Sequence, residues 1–267
     1  MEHIQVPDAP RLTYIGGPTL LIEWRGLRLL TDPTFDPGDT SYPTAAYTLR
    51  KTLGPALPAT ELGPIDAVLL SHDHHFDNLD HAGRALLSQA SQVLTTIAGA
   101  ERLGHGARGL RPGDETDLPG PEGGTLHLVA TAARHGPPNG DRGPVIGFLL
   151  HWRDDPADGI YVTGDTVWYE EVEAVHRQWP IQAVVAFLGA AKVKVAGPSP
   201  LTLTAADAVA LAREFHPATI VPVHYEGWEH FTESRPQVEQ AFAAAGLGDR
   251  LQWLPPGRAT PLRVPRS

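Results

Sequence analysis

The stretch LLSHDHHFDNLD, Leu69 to Asp80, places His72, Asp73, His74, His75, Asp77 and Asp80 directly after the apolar run Ala67–Leu70. A short, wholly apolar run fits a strand covered on both faces of a sheet. Ligands in layered α/β proteins gather just beyond such strand ends. The pattern recurs along the chain. Leu128–Ala132 leads into His135, Ile160–Val162 into Gly164-Asp165-Thr166, and Ile220–Val223 into His224. One histidine at a strand end is usually a surface or hydrogen-bonded group. Gly-Asp-Thr alone is an ordinary turn, and Asp77 alone is an ordinary helix cap. Four such ends in one chain are expected to converge. Imidazole and carboxylate without thiolate form the ligand chemistry of a hydrolytic metal centre.

Composition narrows the alternatives. The chain has 267 residues, 42% hydrophobic and 19% charged, with no cysteine and a formal net charge of −10. This suits a globular protein with a sizeable core. Disulfides and thiolate sites are excluded. The acidic balance argues against a nucleic-acid partner, which calls for a basic face. No apolar run approaches the roughly 20 residues of a membrane span. The opening MEHIQVPDAPRLTYIGG lacks the pattern of a signal peptide, so a cytoplasmic protein is expected.

The apolar patterning predicts alternating strands and helices, an α/β class in one domain spanning 1–267. Thr19–Trp24 and Leu27–Leu30 read as a hairpin about Arg25-Gly26. Phe35 to Pro64 is a long excursion with one short helix predicted over 45–53. Helices are also predicted over 79–90, 168–178 and 236–245. Another runs from Thr204 to about Phe215, where Thr204 and Asp207 form a capping-box-like start. RLQWL, 250–254, reads as a last strand.

In this setting the chain resembles the metallo-β-lactamase superfamily, in particular the branch that includes ascorbate-6-phosphate lactonase and the N-acylphosphatidylethanolamine-hydrolysing phospholipase D. The resemblance rests on YIGGPTLLIEWRGLRLLTDPTF, LLSHDHHFDNLD, TAARHGPP, YVTGDT and VPVHYEGW, in that order, and covers nearly the whole chain. It implies a four-layer αββα sandwich with the metals at one edge between the sheets. Two departures stand out. Gly16-Gly17 replaces the usual Gly-His, and the His-x-His-x-Asp-His loop is off by one residue. Counting from the strand end gives His72 and His74. Counting back from the helix start gives His75 and Asp77, with Asn78 in place of the last histidine. The helix start is the firmer anchor, which favours His72, His75 and Asp77 with one residue bulged between them. His74 is the alternative, and Asp73 is also within reach.

The resemblance then implies one or two divalent ions, zinc first and manganese or iron as alternatives. His72, His75 or His74, and His135 would hold one ion. Asp165 would bridge, and Asp77 and His224, with Asn78, would hold the second. Asn78 makes that second site weaker or richer in oxygen. Asp77 is the candidate catalytic group, and the reaction would be hydrolysis of a small ester, lactone or phosphoester. A phosphodiesterase or nuclease, or a catalytically weakened metal-binding protein, is the alternative. Asp32 is a candidate acceptor for a ligating histidine. Tyr225, Trp228, His230, Phe231, Trp168 and Tyr169 are candidate pocket-lining residues. Lys192 and Lys194 are candidates to meet an anionic substrate group. His81, His105, His127, His151, His176 and His216 are expected to be structural or at the surface. Oligomeric state stays open, a homo-oligomer included.

Overall fold

A computed structural model describes residues 9–263 other than 105 and 122. His105 and residues 1–8 lie outside the described residues. Two sheets dominate. The first has seven strands in the order Thr260–Pro261, Arg11–Gly16, Thr19–Trp24, Leu27–Thr31, Ile65–Leu69, Ala90–Thr96, Ala107–Leu110. The second has six, in the order Thr219–Val223, Ile181–Phe187, Asp155–Val162, Ile146–Trp152, Thr125–Ala132, Glu115–Pro119.

Period-two side-chain alternation sorts the first sheet into two faces. Leu20, Ile22, Trp24, Leu27, Leu29, Ala67 and Leu69 point into the cluster between the sheets. Leu21, Leu30 and Val68 point the other way, onto Leu79, Leu86 and the partly buried Leu103. Leu86 lies in the helix His81–Leu86 and Leu103 in the helix Ile97–Leu103. Both faces are therefore covered, which explains why these strands read as continuous apolar runs. The inner faces meet in contacts such as the edge-on Trp24–Trp152 pair, with ring centroids 6.1 Å apart. The helices Glu170–Gln178, Ala205–Glu214 and Arg235–Ala244 contribute Val172, Leu211 and Phe242 to the same cluster, beyond the second sheet. The architecture is the expected αββα sandwich.

Three local expectations are corrected. The predicted helix over 45–53 is instead a small ribbon, Ser41–Pro43 against Thr48–Arg50. Its alternating burial places Tyr42 and Leu49 beneath Trp228. The helix predicted over 79–90 stops at Leu86 and tightens into a 3-10 turn to Gln89. In RLQWL only Leu251 makes a bridge, to Ile220. The two prolines that follow, Pro255 and Pro256, cannot donate to a ladder. Among the described residues, no helix is long and apolar enough to cross a membrane.

Candidate metal centre

Strand direction brings the four chemistry-bearing ends to one edge of the sandwich. Thr125–Ala132, Asp155–Val162 and Thr219–Val223 all run the same way through their antiparallel and parallel neighbours. Their C-terminal ends deliver His135, Asp165 and His224. Ile65–Leu69 of the first sheet delivers the loop from His72 to Asp77. Two backbone bonds tie the sheets together here, Ile146 N–H to the Ser71 carbonyl (3.1 Å) and His224 N–H to the Gly17 carbonyl (2.7 Å). The backbone is forced at this edge. His224 and Asp32 adopt φ of 56° and 23°, a region that residues with a Cβ rarely enter. Gly164, just before Asp165, has φ +60°, and a Cβ there would lie 2.6 Å from the Ile146 carbonyl. Only glycine lets the turn aim Asp165 inward.

Hydrogen bonding fixes which nitrogen of each ring is free. Ser71 Oγ donates its single proton to Asp32 Oδ1 (2.7 Å). It must therefore accept from His72 Nδ1 (2.9 Å), leaving the lone pair on His72 Nε2. His135 Nδ1 donates to the Leu201 carbonyl (2.9 Å), so its lone pair is also on Nε2. Those two Nε2 atoms lie 2.9 Å and 3.2 Å from His75 Nδ1. His75 Nδ1 carries at most one proton, which the two facing lone pairs could only share. Three such nitrogens facing one another form a candidate donor set for a cation, with spacings that suit ligands about 2.0–2.1 Å from zinc. Asp165 Oδ2 stands 3.5 Å from His135 Nε2. His72, His135 and Asp165 have ligand atoms within 4.8 Å of one another, and so do Asp77, Asp165 and His224.

The electrostatics agree with this picture. Burial and the neighbouring rings hold His72 well below the ordinary imidazole range, and burial and His135 lower His75 to about 3. Both stay neutral, with lone pairs available. Burial alone would raise the two carboxylates, but His230 and His224 hold Asp77 well below its usual value, and His224 and His135 do the same for Asp165. Burial disfavours charge on His224, yet Asp165 overrides it and raises that group. This half of the site stabilises positive charge. Asp165 Oδ2 and His224 Nε2 are buried and have no hydrogen-bond partner among the described residues. The residues present therefore fit a divalent cation.

The one-residue bulge in the main loop has a visible outcome. A ring atom of His74 also lies within 4.8 Å of His72 and His75 ligand atoms, so proximity does not separate His74 from His75. Hydrogen bonding does. His74 is exposed and its Nε2 donates to the Arg142 carbonyl (2.8 Å), whereas His75 Nδ1 faces His72 and His135. Asp73 is turned away onto the guanidinium groups of Arg102 and Arg84. Asp32 reaches the first imidazole only through Ser71, not directly.

Of the pocket candidates, Tyr225 is buried, stacked on Tyr14 and edge-on to Trp253, and Trp168 and Tyr169 pack against the core. Trp228 and Phe231 join Tyr42, Tyr47 and Phe76 in a small aromatic cluster. His230 does more than line a wall: its Nε2 lies 3.0 Å from Asp77 Oδ2. Sequence spacing from the last strand gave no sign of that contact. Lys192 and Lys194 are exposed, and the Lys192 backbone is anchored to the His230 carbonyl. His127 and His151 are buried structural groups far from these strand ends, the first bonded to Asp117 and the second packed on Trp179.

Comparison with known proteins adds the lineage. Residues 27–225 match the family model described as the beta-lactamase superfamily domain. A UPF0173 metal-dependent hydrolase of Salinibacter ruber is 27% identical over 253 residues, covering 90% of this chain and 95% of its own. Among solved structures, isothiocyanate hydrolase from Delia radicum gut bacteria superposes with a TM-score of 0.78 at 22% identity, covering 96% of this chain and all of its own. Igni18, a metallo hydrolase from the archaeon Ignicoccus hospitalis, gives 0.67 at 18% identity, covering 96% and 99%. At these identities the structural likeness speaks for the fold.

Proposed function

Because the chain belongs to the beta-lactamase superfamily, we propose that it is a metal-dependent hydrolase of a small molecule carrying an ester, lactone or phosphoester bond. One observation carries this reading. His72 and His135, each held at Nδ1, turn their Nε2 atoms onto His75 Nδ1 at 2.9 and 3.2 Å, beside the Asp165 carboxylate. The similarity to a relative named as a metal-dependent hydrolase supports it. His72, His75 and His135 would hold the first ion, Asp165 would stand between the halves, and Asp77 and His224 would serve the second. A divalent ion at such a site lowers the pKa of water and polarises the bond under attack.

The chain's own groups supply the rest. His224 Nδ1–H holds Asp165 Oδ1 at 2.8 Å, which fixes the other oxygen toward His135. Asp77, ionised and held by His230, offers a carboxylate oxygen that orients an attacking water. The acidic charge of −10 weighs against a nucleic-acid substrate.

Metal analysis of the purified protein, joined to an ester, lactone and phosphodiester panel with and without chelator, tests the reading. At least one equivalent of divalent metal and chelator-sensitive turnover of one bond class are expected. Metal-free protein that cannot be loaded, or turnover indifferent to chelator, would refute it.

A further inference from the structure

The loop that follows His135 brings a positive charge to the edge of the centre. Arg142 is fixed there by its backbone: its N–H donates to the His135 carbonyl (2.9 Å), and its own carbonyl accepts from His74 Nε2 (2.8 Å). Its side chain is half-buried and hydrogen-bonds to Tyr47, at the turn of the small ribbon Ser41–Pro43/Thr48–Arg50. The other arginines nearby are occupied. Arg84 and Arg102 face Asp73, and Arg134 lies over the Tyr169 ring. No carboxylate among the described residues pairs with Arg142, and the adjacent Asp141 accepts from Gly143 N–H instead (3.3 Å). A half-buried guanidinium without a counter-charge, in a chain of net charge −10, leaves several N–H donors open.

Tyr47 supplies one donor more. Arginine has no acceptor, so its N–H donates to the phenol oxygen and the phenol hydrogen stays available. Burial, and then the charge of Asp77, raise the Tyr47 phenol above its ordinary value, which keeps that hydrogen in place. Tyr47 also joins half-buried Phe76, Val193 and Phe231 against the Tyr42–Leu49–Trp228 cluster. Phe76 directly precedes Asp77, and the Phe231 ring is edge-on to His224, with centroids 4.8 Å apart. An apolar wall and a pair of oxyanion donors thus border the same part of the centre.

Resting on the hydrolase reading above, we propose that Arg142 and Tyr47 form an oxyanion clamp that makes the substrate an amphipathic anion. Its apolar body lies against the aromatic wall. A carboxylate or phosphate group, separate from the bond that is cut, sits between the guanidinium and the phenol. A guanidinium fork suits either oxyanion. These two residues set specificity by binding.

Calorimetry of the metal-loaded protein with 3-phenylpropionate, phenylphosphonate and neutral 3-phenylpropionamide tests the clamp. At least one anion is expected to bind about tenfold or more tighter than the amide, and Arg142→Ala to remove that preference. The anion that loses more identifies the group. Arg142→Lys should keep only part of the preference, because the charge remains without the fork. Tyr47→Phe, which removes the hydroxyl alone, should weaken the anion by about threefold or more. In turnover, Arg142→Ala should raise KM for an anionic ester about tenfold more than for a neutral ester of the same body, with kcat changing far less. Elemental analysis reports whether each variant keeps its metal, and Arg142→Gln gives the same reading if the alanine variant does not. The proposal is overturned if a metal-replete Arg142 variant keeps the full preference for the anion, which would put the anion on the metal, or if the wild type binds anions and amide alike. Failure of the wild type to bind any divalent ion would refute the hydrolase reading instead, and the same probes on that protein would still decide the clamp.

Discussion

At the scale of single residues, one hydroxyl sets the direction of the first imidazole. Ser71 Oγ accepts from His72 Nδ1 and donates its own hydrogen bond to Asp32 Oδ1, so the ring is turned and its tautomer chosen together. Replacement by alanine leaves a buried imidazole N–H and a buried carboxylate short of partners. Such outer contacts are worth roughly 10–100-fold in metal affinity. Ser71→Ala should therefore lose zinc in chelator competition at least tenfold sooner than the wild type; an unchanged affinity would show that the relay is idle. Proton linkage gives a second test on the metal-free protein. Burial lowers His75 from 6.5 to about 3, and His72 moves the same way. Between those values the unfolded chain binds more protons than the folded one, so stability falls as pH falls through that window. The slope is up to ~1.4 kcal/mol per pH unit for each such group. His224 has the opposite sign: its raised value contributes stability at low pH that is lost as pH rises through it. His74 and His151 are lowered as well, while buried Asp32 is raised and acts with the sign of His224, so four lowered imidazoles against two raised groups predict a net loss in acid. Urea midpoints of metal-free protein should drop between about pH 7 and about pH 5; a flat or rising profile would contradict this balance.

At the scale of elements, the excursion between Phe35 and Pro64 is held by a buried ionic knot rather than by regular structure. Lys51 and Asp80 are 3% and 0% exposed, with Nζ 2.9 Å from Oδ2. Asp80 also accepts from the backbone of Phe35, Asp36 and Gly83, and so caps the helix His81–Leu86 while pinning the excursion to it. Lys51 in turn lies over the Trp228 ring, 5.6 Å from its centroid. Removing one partner of a buried pair leaves an uncompensated charge, which typically costs about 3–5 kcal/mol. The three backbone donors that remain on Asp80 place Lys51→Met near the lower end, about 3 kcal/mol by urea unfolding. A loss below about 1 kcal/mol would mean that the knot is ornamental. This segment also shows where sequence reading reached its limit. Ala45 to Leu53 has no period that separates helix from ribbon. What decides for the ribbon is Tyr42 and Leu49 burying against Trp228, a residue far away in sequence. The same holds for Arg11–Gly16, Ala107–Leu110 and Glu115–Pro119, short strands whose pairing partners are set by the sheet.

At the scale of the whole molecule, the α/β class was legible because the central strands are covered on both faces and appear as apolar runs, while the four-layer sandwich followed from the resemblance. The site was legible because each run ends in a residue type with coordinating chemistry. His135, Asp165 and His224 needed only their strand ends to be placed. The bulged loop was harder. Spacing from the helix start favoured His75 and kept His74 as the alternative; in the structure Arg142 occupies His74 and the Asp73 side chain turns to Arg102. His230 was legible only as a nearby polar residue, because its contact with Asp77 depends on how the last loop folds back. The central claim is that remote strand ends assemble one cation site from His72, His75 and His135. The most direct test is the zinc content of purified His75→Ala beside His74→Ala, each checked for folding. Loss of the tightly bound zinc from His75→Ala and its retention by His74→Ala is the predicted result. Full zinc in His75→Ala would contradict the account.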